Sequence, residues 1–379
     1  MKALFIHDHI FELDNQHRAH SPGKLSRGSF DRYLEVFDSI SILSRFTNVE
    51  SASNGSNLIS GDGIDFYPFD DQSNFRNRFL NRSQYRKQIE RIVVNFDAII
   101  IRVPSEIGFL CAEVCASLNK AYVCEVVACP SDAMDSFNGL KSLIYKPVIV
   151  KAMKNTVSRA FSSLYVTDHF LQSRYPCKRS SIASNVDISS TAIGKKCWED
   201  KDSYRLVLVG NLDSEHKGYD TLFDCLGLLD EKISTRLEVV LPGSGNKYRA
   251  DTDYPNIEVI YPGVLTKQEI VSLLDSSDLY LQPSTQEGLP RATIEAMSRA
   301  LPCVVSSCGG LPELVDSSLV HPMNSPVQMA DIIARVLIDE KLYTQQSEVN
   351  LERSKKYLSD NLSKVRFEFF SDYKSMLTS

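Results

Sequence analysis

Nine short runs rich in aliphatic and β-branched residues recur along this chain, at intervals too long for hairpins, and that spacing limits the fold more than any other feature. KALFIH (2–7), DAIII (97–101), AYVCEVV (121–127) and SLYVT (163–167) lie in the first half; YRLVLVG (204–210), LEVVLPG (237–243), IEVIYPG (257–263), DLYLQPS (278–284) and LPCVVSS (301–307) lie in the second. Apolar runs of this length, several closed by glycine or proline and separated by helix-length segments, predict buried parallel strands joined by right-handed helical crossovers. The fold class is therefore α/β. A chain of 379 residues exceeds what one core usually serves, so two domains are expected. The polar stretch SSTAIGKKCWEDKDS (189–203) reads as their linker. It divides the chain into 1–190 and 191–355, two doubly wound Rossmann-like units facing a central cleft. The last segment, 356–379, contains LSDNLSKVRFEFFSDYKSML, an amphipathic helix whose apolar side needs a partner surface. It is expected to cross back and brace the first domain. Ligands of such sheets sit beyond the carboxyl ends of the strands.

Composition removes several function classes. A net charge of -6 argues against nucleic acid, whose phosphates favour a basic surface. No apolar stretch approaches the roughly 18–20 residues that span a bilayer, and MKALFIHDH meets charge too early for a signal peptide, so a cytoplasmic location is expected. The nine cysteines are odd in number, lack CxxC pairs and lie mostly in apolar runs, as buried free thiols do. GSG at 243–245 lacks the third glycine of a dinucleotide fingerprint, and neither GxSxG nor GxxxxGK occurs. Those absences weaken dehydrogenase, hydrolase and kinase readings.

The chemistry concentrates in two strand-to-helix turns of the second half. After DLYLQPS comes TQEGLPRATIEAMSRALP. Pro290 suits the first helical position, and a helix is predicted over 291–299. Its unpaired amides near Gly288, Leu289 and Arg291, Pro290 supplying none, form a seat for anions. Glu287 lies at the mouth of this seat, where it can accept hydrogen bonds from sugar hydroxyls, and Glu295, just over a turn inside, can grip a vicinal diol such as a ribose. Carboxylates cannot hold phosphates, so a cation must come from elsewhere. The turn GNLDSEHKG (210–218), from Gly210 through Asn211 to Lys217, brings one; lysine is a compact charge suited to a diphosphate.

GNLDSEHKG (210–218), EGLPRATIE (287–295) and CGGLPELV (308–315), in this order along the second half, resemble the retaining glycosyltransferases of family 4, of GT-B architecture. IRVPSEIG (101–108), VVACPSDAM (126–134) and YVTDHFLQSRYP (165–176) resemble members that build bacterial surface polysaccharides such as capsule, O-antigen or exopolysaccharide. The resemblance implies an acceptor-binding first domain and a nucleotide-sugar-binding second domain. The donor would be a nucleotide-diphosphate sugar, with no cofactor and no metal. The acceptor would be a saccharide or a polyprenyl-diphosphate-linked saccharide. Lys217 would contact the donor diphosphate, Glu295 the ribose and Glu287 the transferred sugar, while Gly288, Leu289 and Arg291 would offer amides to sugar or phosphate.

Two departures from that pattern matter. Many members carry arginine after the glycine of the first turn, where this chain has Asn211, a residue that suits either ligand contact or turn formation. Lys217 would then carry more of the phosphate charge, or Arg291 would share it. The family often has a histidine near the reacting centre, and ACPSDAM has none; Asp132 is the titratable group there, either at the reaction or a plain loop aspartate. His7-Asp8-His9 reads as structural or substrate-facing and not as a metal site. The basic stretch RNRFLNRSQYRKQIER (76–91) and the acid-free segment 136–167 with Lys141, Lys146, Lys151, Lys154 and Arg159 suit either an anionic inner membrane face or a solvated helix face. An epimerase of the same architecture and a non-catalytic sugar-nucleotide scaffold are the rival functions.

Overall fold

A computed structural model describes residues 1–23, 25–53, 55–69, 81–135, 140–249 and 254–379. The strand-rich runs build two sheets. The first comprises β1 (Lys2–Leu13), β2 (Ala19–Ser21), β3 (Ser39–Asn48), β4 (Asn57–Leu58), β5 (Ile64–Phe69), β6 (Ala98–Val103), β7 (Val123–Val126), β8 (Ser162–Tyr165) and β9 (Ser180–Ile182). Its main body runs β5-β3-β1-β6-β7-β8-β9 with parallel neighbours throughout, and β2 and β4 add an antiparallel fringe beside the end of β1. Register is fixed by apolar rows: Phe5 stands between Ile42 of β3 and Ile100 of β6, and all three are buried.

The second sheet comprises β10 (Ser203–Val207), β11 (Arg236–Val240), β12 (Ile257–Ile260), β13 (Leu279–Gln282), β14 (Cys303–Ser306) and β15 (Val320–His321), ordered β12-β11-β10-β13-β14-β15 and parallel throughout. Each sheet therefore grows outward in one direction, returns to its first strand and grows in the other, reversing between β1 and β6 and again between β10 and β13. At such a reversal the loops leaving neighbouring strands turn to opposite faces and open a crevice. The two halves form the facing Rossmann-like pair expected of the GT-B architecture.

Six strands escaped the sequence reading: the two- and three-residue β2, β4, β9 and β15, and the longer β3 and β5. β3, SISILSRFTN, interleaves serines with its aliphatic residues, and Ser41 and Ser44 are buried. β5, IDFYPF, carries one proline and one aspartate among three aromatics, a pattern that fits a short outer strand. β1 is also longer than predicted, because the polar His7-Asp8-His9 lies within it at a register slip between Ile6 and Ile10. Ser44 Oγ there donates to the carbonyls of His7 and His9, and Arg45 Nε donates to that of Asp8 at 2.8 Å. Side chains of β3 thus satisfy the main chain where the ladder is interrupted.

The helix Glu340–Ser354 stays with the second domain, where Ser347 Oγ and Asn350 Nδ2 donate to the carbonyls of Ala300 and Leu301. The chain then returns past Ile188, whose carbonyl accepts from Ser359 N at 2.9 Å. The final helix, Ser359–Thr378, buries Leu362, Phe369, Phe370 and Tyr373, one face at helical spacing. Phe370 meets Tyr33 edge-on at 5.1 Å, and Tyr373 Oη accepts from Ile99 N and donates to the carbonyl of Ala121. These contacts are all with the first domain. All nine cysteines are free thiols, and Cys197 alone is exposed.

Candidate functional site

At the β10/β13 reversal, close backbone approaches bring the two predicted turns together. Thr285 N donates to the carbonyl of His216 at 2.9 Å. Gly218 has φ +76, and a Cβ there would lie 2.1 Å from the Pro283 carbonyl oxygen, so only glycine permits this approach. Lys217, the residue before it, is held by the same geometry. Its Nζ donates to Glu287 Oε1 at 2.7 Å, with 18% and 13% of the two side chains exposed. The same oxygen accepts from Ser284 Oγ at 3.0 Å, and Gln282, whose Oε1 accepts from Tyr280 Oη at 2.7 Å, lies behind it. Glu287 is therefore oriented by a buried polar chain rooted in β13.

The loop 287–288 is pinned from a second side by the CGG turn. Gly309 has φ +56, with the Glu287 carbonyl oxygen 2.1 Å from where a Cβ would stand, and Gly310 N donates to the Gly288 carbonyl at 2.8 Å. A Cβ on Gly288 would lie 2.6 Å from the carbonyl oxygen of Val127. Gly288 is thus where the second domain touches the loop leaving β7 of the first.

The helix that follows runs Arg291–Ser298, with Pro290 at its cap (φ -72, ψ 120) and not at its first helical position. This corrects the expected start by one residue; proline's fixed φ suits the extended cap as well as the first turn, and with no N–H and its side chain buried it offers a ligand no donor. Glu295 is half-buried on this helix. Burial first, then the charges of Cys303, Glu295 and Glu287, hold the Tyr280 hydroxyl well above the ordinary phenol range. Arg299, at the end of this helix, makes a bidentate pair with Asp275 at 2.6 and 2.9 Å.

Other predicted residues are committed to local structure. Asn211 Oδ1 accepts from Asp213 N at 2.8 Å, so its acceptor oxygen closes the turn after Gly210. Asp132, in the helix Pro130–Asp135, pairs with Arg174 Nη1 at 2.5 Å, and Arg174 also reaches Cys129 Sγ at 3.1 Å. Asp8 accepts from Ser105 Oγ and from the amides of Glu106 and Ile107, capping the helix Glu106–Ser117. No metal-binding cluster of histidine, cysteine and carboxylates occurs among the described residues.

Opposite the predicted turns lies a cavity of about 720 Å³, lined by Leu289 and Arg291 from the second domain and by His7, Arg102 and Val127, among others, from the first. It occupies the β1/β6 reversal. His7, read from the sequence as structural or substrate-facing, lines this cavity; Arg102 escaped that reading because nothing in one sequence distinguishes a polar residue inside a strand from one facing a crevice. His7 Nδ1 accepts from His9 N at 3.1 Å, so its neutral ring carries its proton on Nε2. Burial, then Arg102, His9 and Arg45, push this imidazole well below its ordinary value.

Glu313, read only as part of CGGLPELV, also proved to span the domains. Its carboxylate accepts from the amides of Asp168 (2.7 Å), His169 (3.1 Å) and Phe170, at the start of the first-domain helix Phe170–Arg174. Lys356 and Asp168 form an ion pair alongside.

Residues 203–339 match the family described as Glycosyl transferases group 1. Protein CapJ of Staphylococcus aureus is 27% identical over 375 residues, 97% of this chain and 94% of that protein. The UDP-Gal:alpha-D-GlcNAc-diphosphoundecaprenol alpha-1,3-galactosyltransferase of Escherichia coli is 28% identical over 184 residues, covering 44% of this chain and 47% of that one. Among solved structures, Anabaena Alr3699/HepE in complex with UDP superimposes with a TM-score of 0.64 at 16% identity, covering 98% of this chain and all of that one.

Proposed function

We propose that this protein, a glycosyltransferase of GT-B fold whose second domain is of the Glycosyl transferases group 1 type, moves a sugar from a nucleotide diphosphate to a diphosphate-lipid-linked saccharide during bacterial surface polysaccharide synthesis. The observation that carries the reading is the Lys217–Glu287 pair, set beside the N-terminus of the helix Arg291–Ser298 in the loop that leads to Leu289 and Arg291, two residues that line the interdomain cavity. Breaking a sugar–phosphate bond leaves positive charge at the anomeric carbon and negative charge on the diphosphate. Lys217 and the amides of Gly288, Leu289 and Arg291 stabilise the second, and Glu287 orients the sugar. The acceptor hydroxyl attacks from the face the diphosphate leaves, its proton passing to that leaving group, so anomeric configuration is retained. Neither a metal nor a cofactor enters this scheme. Asp132, neutralised by Arg174, positions the loop leaving β7 and takes no part in proton transfer.

A lipid-linked acceptor places the reaction at the cytoplasmic membrane face. The helix Leu140–Arg159 exposes Ile144 (67%) and Val148 (50%), one turn apart, beside the exposed Lys151 and Lys154. An apolar pair amid cations suits peripheral attachment to anionic lipid. No described helix is long and apolar enough to cross a membrane, and of the basic stretch 76–91, residues 76–80 lie outside the described residues.

Thermal-shift screening over UDP-, GDP- and ADP-sugars tests the donor assignment, and incubation with the sugar nucleotide alone exposes epimerisation. In calorimetry on the preferred nucleotide, Glu295→Ala is expected to weaken binding about tenfold, the scale of one lost two-point hydrogen-bonded contact, with the melting temperature preserved. Unchanged affinity would remove Glu295 from the ribose site.

A further inference from the structure

We propose that the cavity at the β1/β6 reversal is a phosphoryl-binding site for the acceptor, with Arg32, Arg102 and Arg366 as its cationic wall. This rests on the transferase reading and adds to it the chemical class of group that the acceptor must carry.

Four arginines line the cavity: Arg32 from the helix Gly28–Leu34, Arg102 from β6, Arg366 from the last helix and Arg291 from the second domain. Asp187 is the carboxylate among the lining residues, and it pairs with Lys267 at 2.6 Å. Behind the wall, Glu125 is buried and already engaged, accepting from Tyr33 Oη at 2.8 Å and Arg102 Nη1 at 2.9 Å. Burial acts to raise that carboxyl, and Arg32, Arg102 and the Tyr33 hydroxyl outweigh it and hold it below the ordinary range. Its two oxygens are hydrogen-bonded by Tyr33 and Arg102, so it acts on Arg32 and Arg366 through its charge, and a single negative charge faces three guanidinium groups.

Those two guanidinium groups are left incomplete. Arg32 Nη1 meets the neutral amide oxygen of Asn185 at 3.4 Å, and Arg366 Nη2 donates to the Ser184 carbonyl. The Nε of each is buried with no hydrogen-bond partner, and Arg366 is 8% exposed. Burial, then the charge of Arg32, lowers the Arg366 guanidinium to about 10. A buried donor without an acceptor costs free energy, and two mutually repelling cations add to that cost unless an anion completes the site. Guanidinium forks match the paired oxygens of a phosphoryl group. Neutral His7, with its proton on Nε2, adds a donor without adding charge.

The donor diphosphate has its own cation, Lys217, in the opposite crevice. A cavity of about 720 Å³ is comparable to those that enclose drug-sized ligands, so it has room for a sugar together with its phosphoryl group. The wall also gives the crossing helix Ser359–Thr378 a task beyond bracing, since it delivers Arg366. Arg291 enters from the second domain, so approach of the domains completes the ring of charge around the acceptor.

Calorimetry on the intact protein, with the nucleotide identified by the screen present, would compare N-acetylglucosamine, N-acetylglucosamine 1-phosphate, inorganic pyrophosphate and vesicles carrying a polyprenyl-diphosphate sugar. The phosphorylated sugar is expected to bind at least tenfold tighter than the neutral one. Arg32→Gln, on a half-buried side chain, is expected to remove about tenfold of that gain while nucleotide affinity stays within twofold; Arg366→Gln should do the same if it folds. A further gain confined to the vesicles would assign the lipid as the source of the phosphoryl group, and equal binding of the soluble ester would assign a free sugar phosphate. Nucleotide binding without any preference for phosphorylated ligands overturns this proposal alone. Failure of every sugar nucleotide to bind, in contrast, overturns the transferase reading.

Discussion

Lys217→Ala is expected to lower kcat/KM for sugar transfer about 10²–10³-fold, on the order of 3–4 kcal/mol of transition-state stabilisation, and to weaken nucleotide-diphosphate binding. Two effects add. The leaving diphosphate loses its cation at the moment its charge grows. Glu287, only 13% exposed and bonded to the same ammonium at 2.7 Å, is left with Ser284 and Gln282, neither of which neutralises it. An ammonium has three donors, so binding a donor need not break the pair: one N–H can stay on Glu287 while the others meet phosphate oxygens. The lysine then couples the carboxylate that orients the sugar to the group that departs. Lys217→Arg tests this, because a planar fork cannot reproduce that tripod and should recover nucleotide binding more fully than turnover. Initial rates with saturating acceptor, together with calorimetry on the nucleotide, provide the measurement. Turnover within threefold of the parent would rule out the assigned role.

The contrast between Lys217 and His7 shows what the sequence could disclose. Lys217, Glu287 and Glu295 lie in turns that follow long apolar runs, where glycine and proline mark the backbone geometry, so both their loops and their helix could be read from local chemistry. Their meeting across the β10/β13 reversal needed only the order of strands, which the alternation of runs implies. His7, Arg102, Arg32 and Arg366 lie in a strand, a strand, a short helix and a terminal helix, spread from position 7 to position 366. No local pattern connects them; only the β1/β6 reversal and the return of the last helix bring them to one cavity. Asn211 and Asp132 show the converse. Each occupied a loop where a ligand contact was plausible, yet one closes a turn and the other neutralises Arg174, partners fixed by tertiary structure. Arg299 likewise has its partner set by the fold, since the bidentate Asp275 lies 24 positions away.

Glu313→Ala is expected to destabilise the protein by about 2–3 kcal/mol and to loosen the domain pair. The carboxylate stands at the junction of three first-domain amides, those of Asp168, His169 and Phe170. Removing it returns three donors at a helix start to a partly buried surface with no acceptor, a loss larger than that of an ordinary helix cap because the bonds also cross between domains. Glu313→Gln keeps the shape but loses the charge and one acceptor oxygen, so it should fall between the parent and the alanine variant. Scanning calorimetry is expected to show a lower and broader transition, and small-angle scattering a larger radius of gyration; unchanged values in both would remove Glu313 as the interdomain tie. The consequence for catalysis follows from position. The turn that carries Glu313 also holds Gly309 and Gly310 against Glu287 and Gly288, and Gly288 in turn abuts Val127 of the first domain. Loosening this one contact therefore moves the sugar-orienting carboxylate relative to the acceptor cavity, so the rate of transfer should fall further than nucleotide affinity, which depends on the second domain alone.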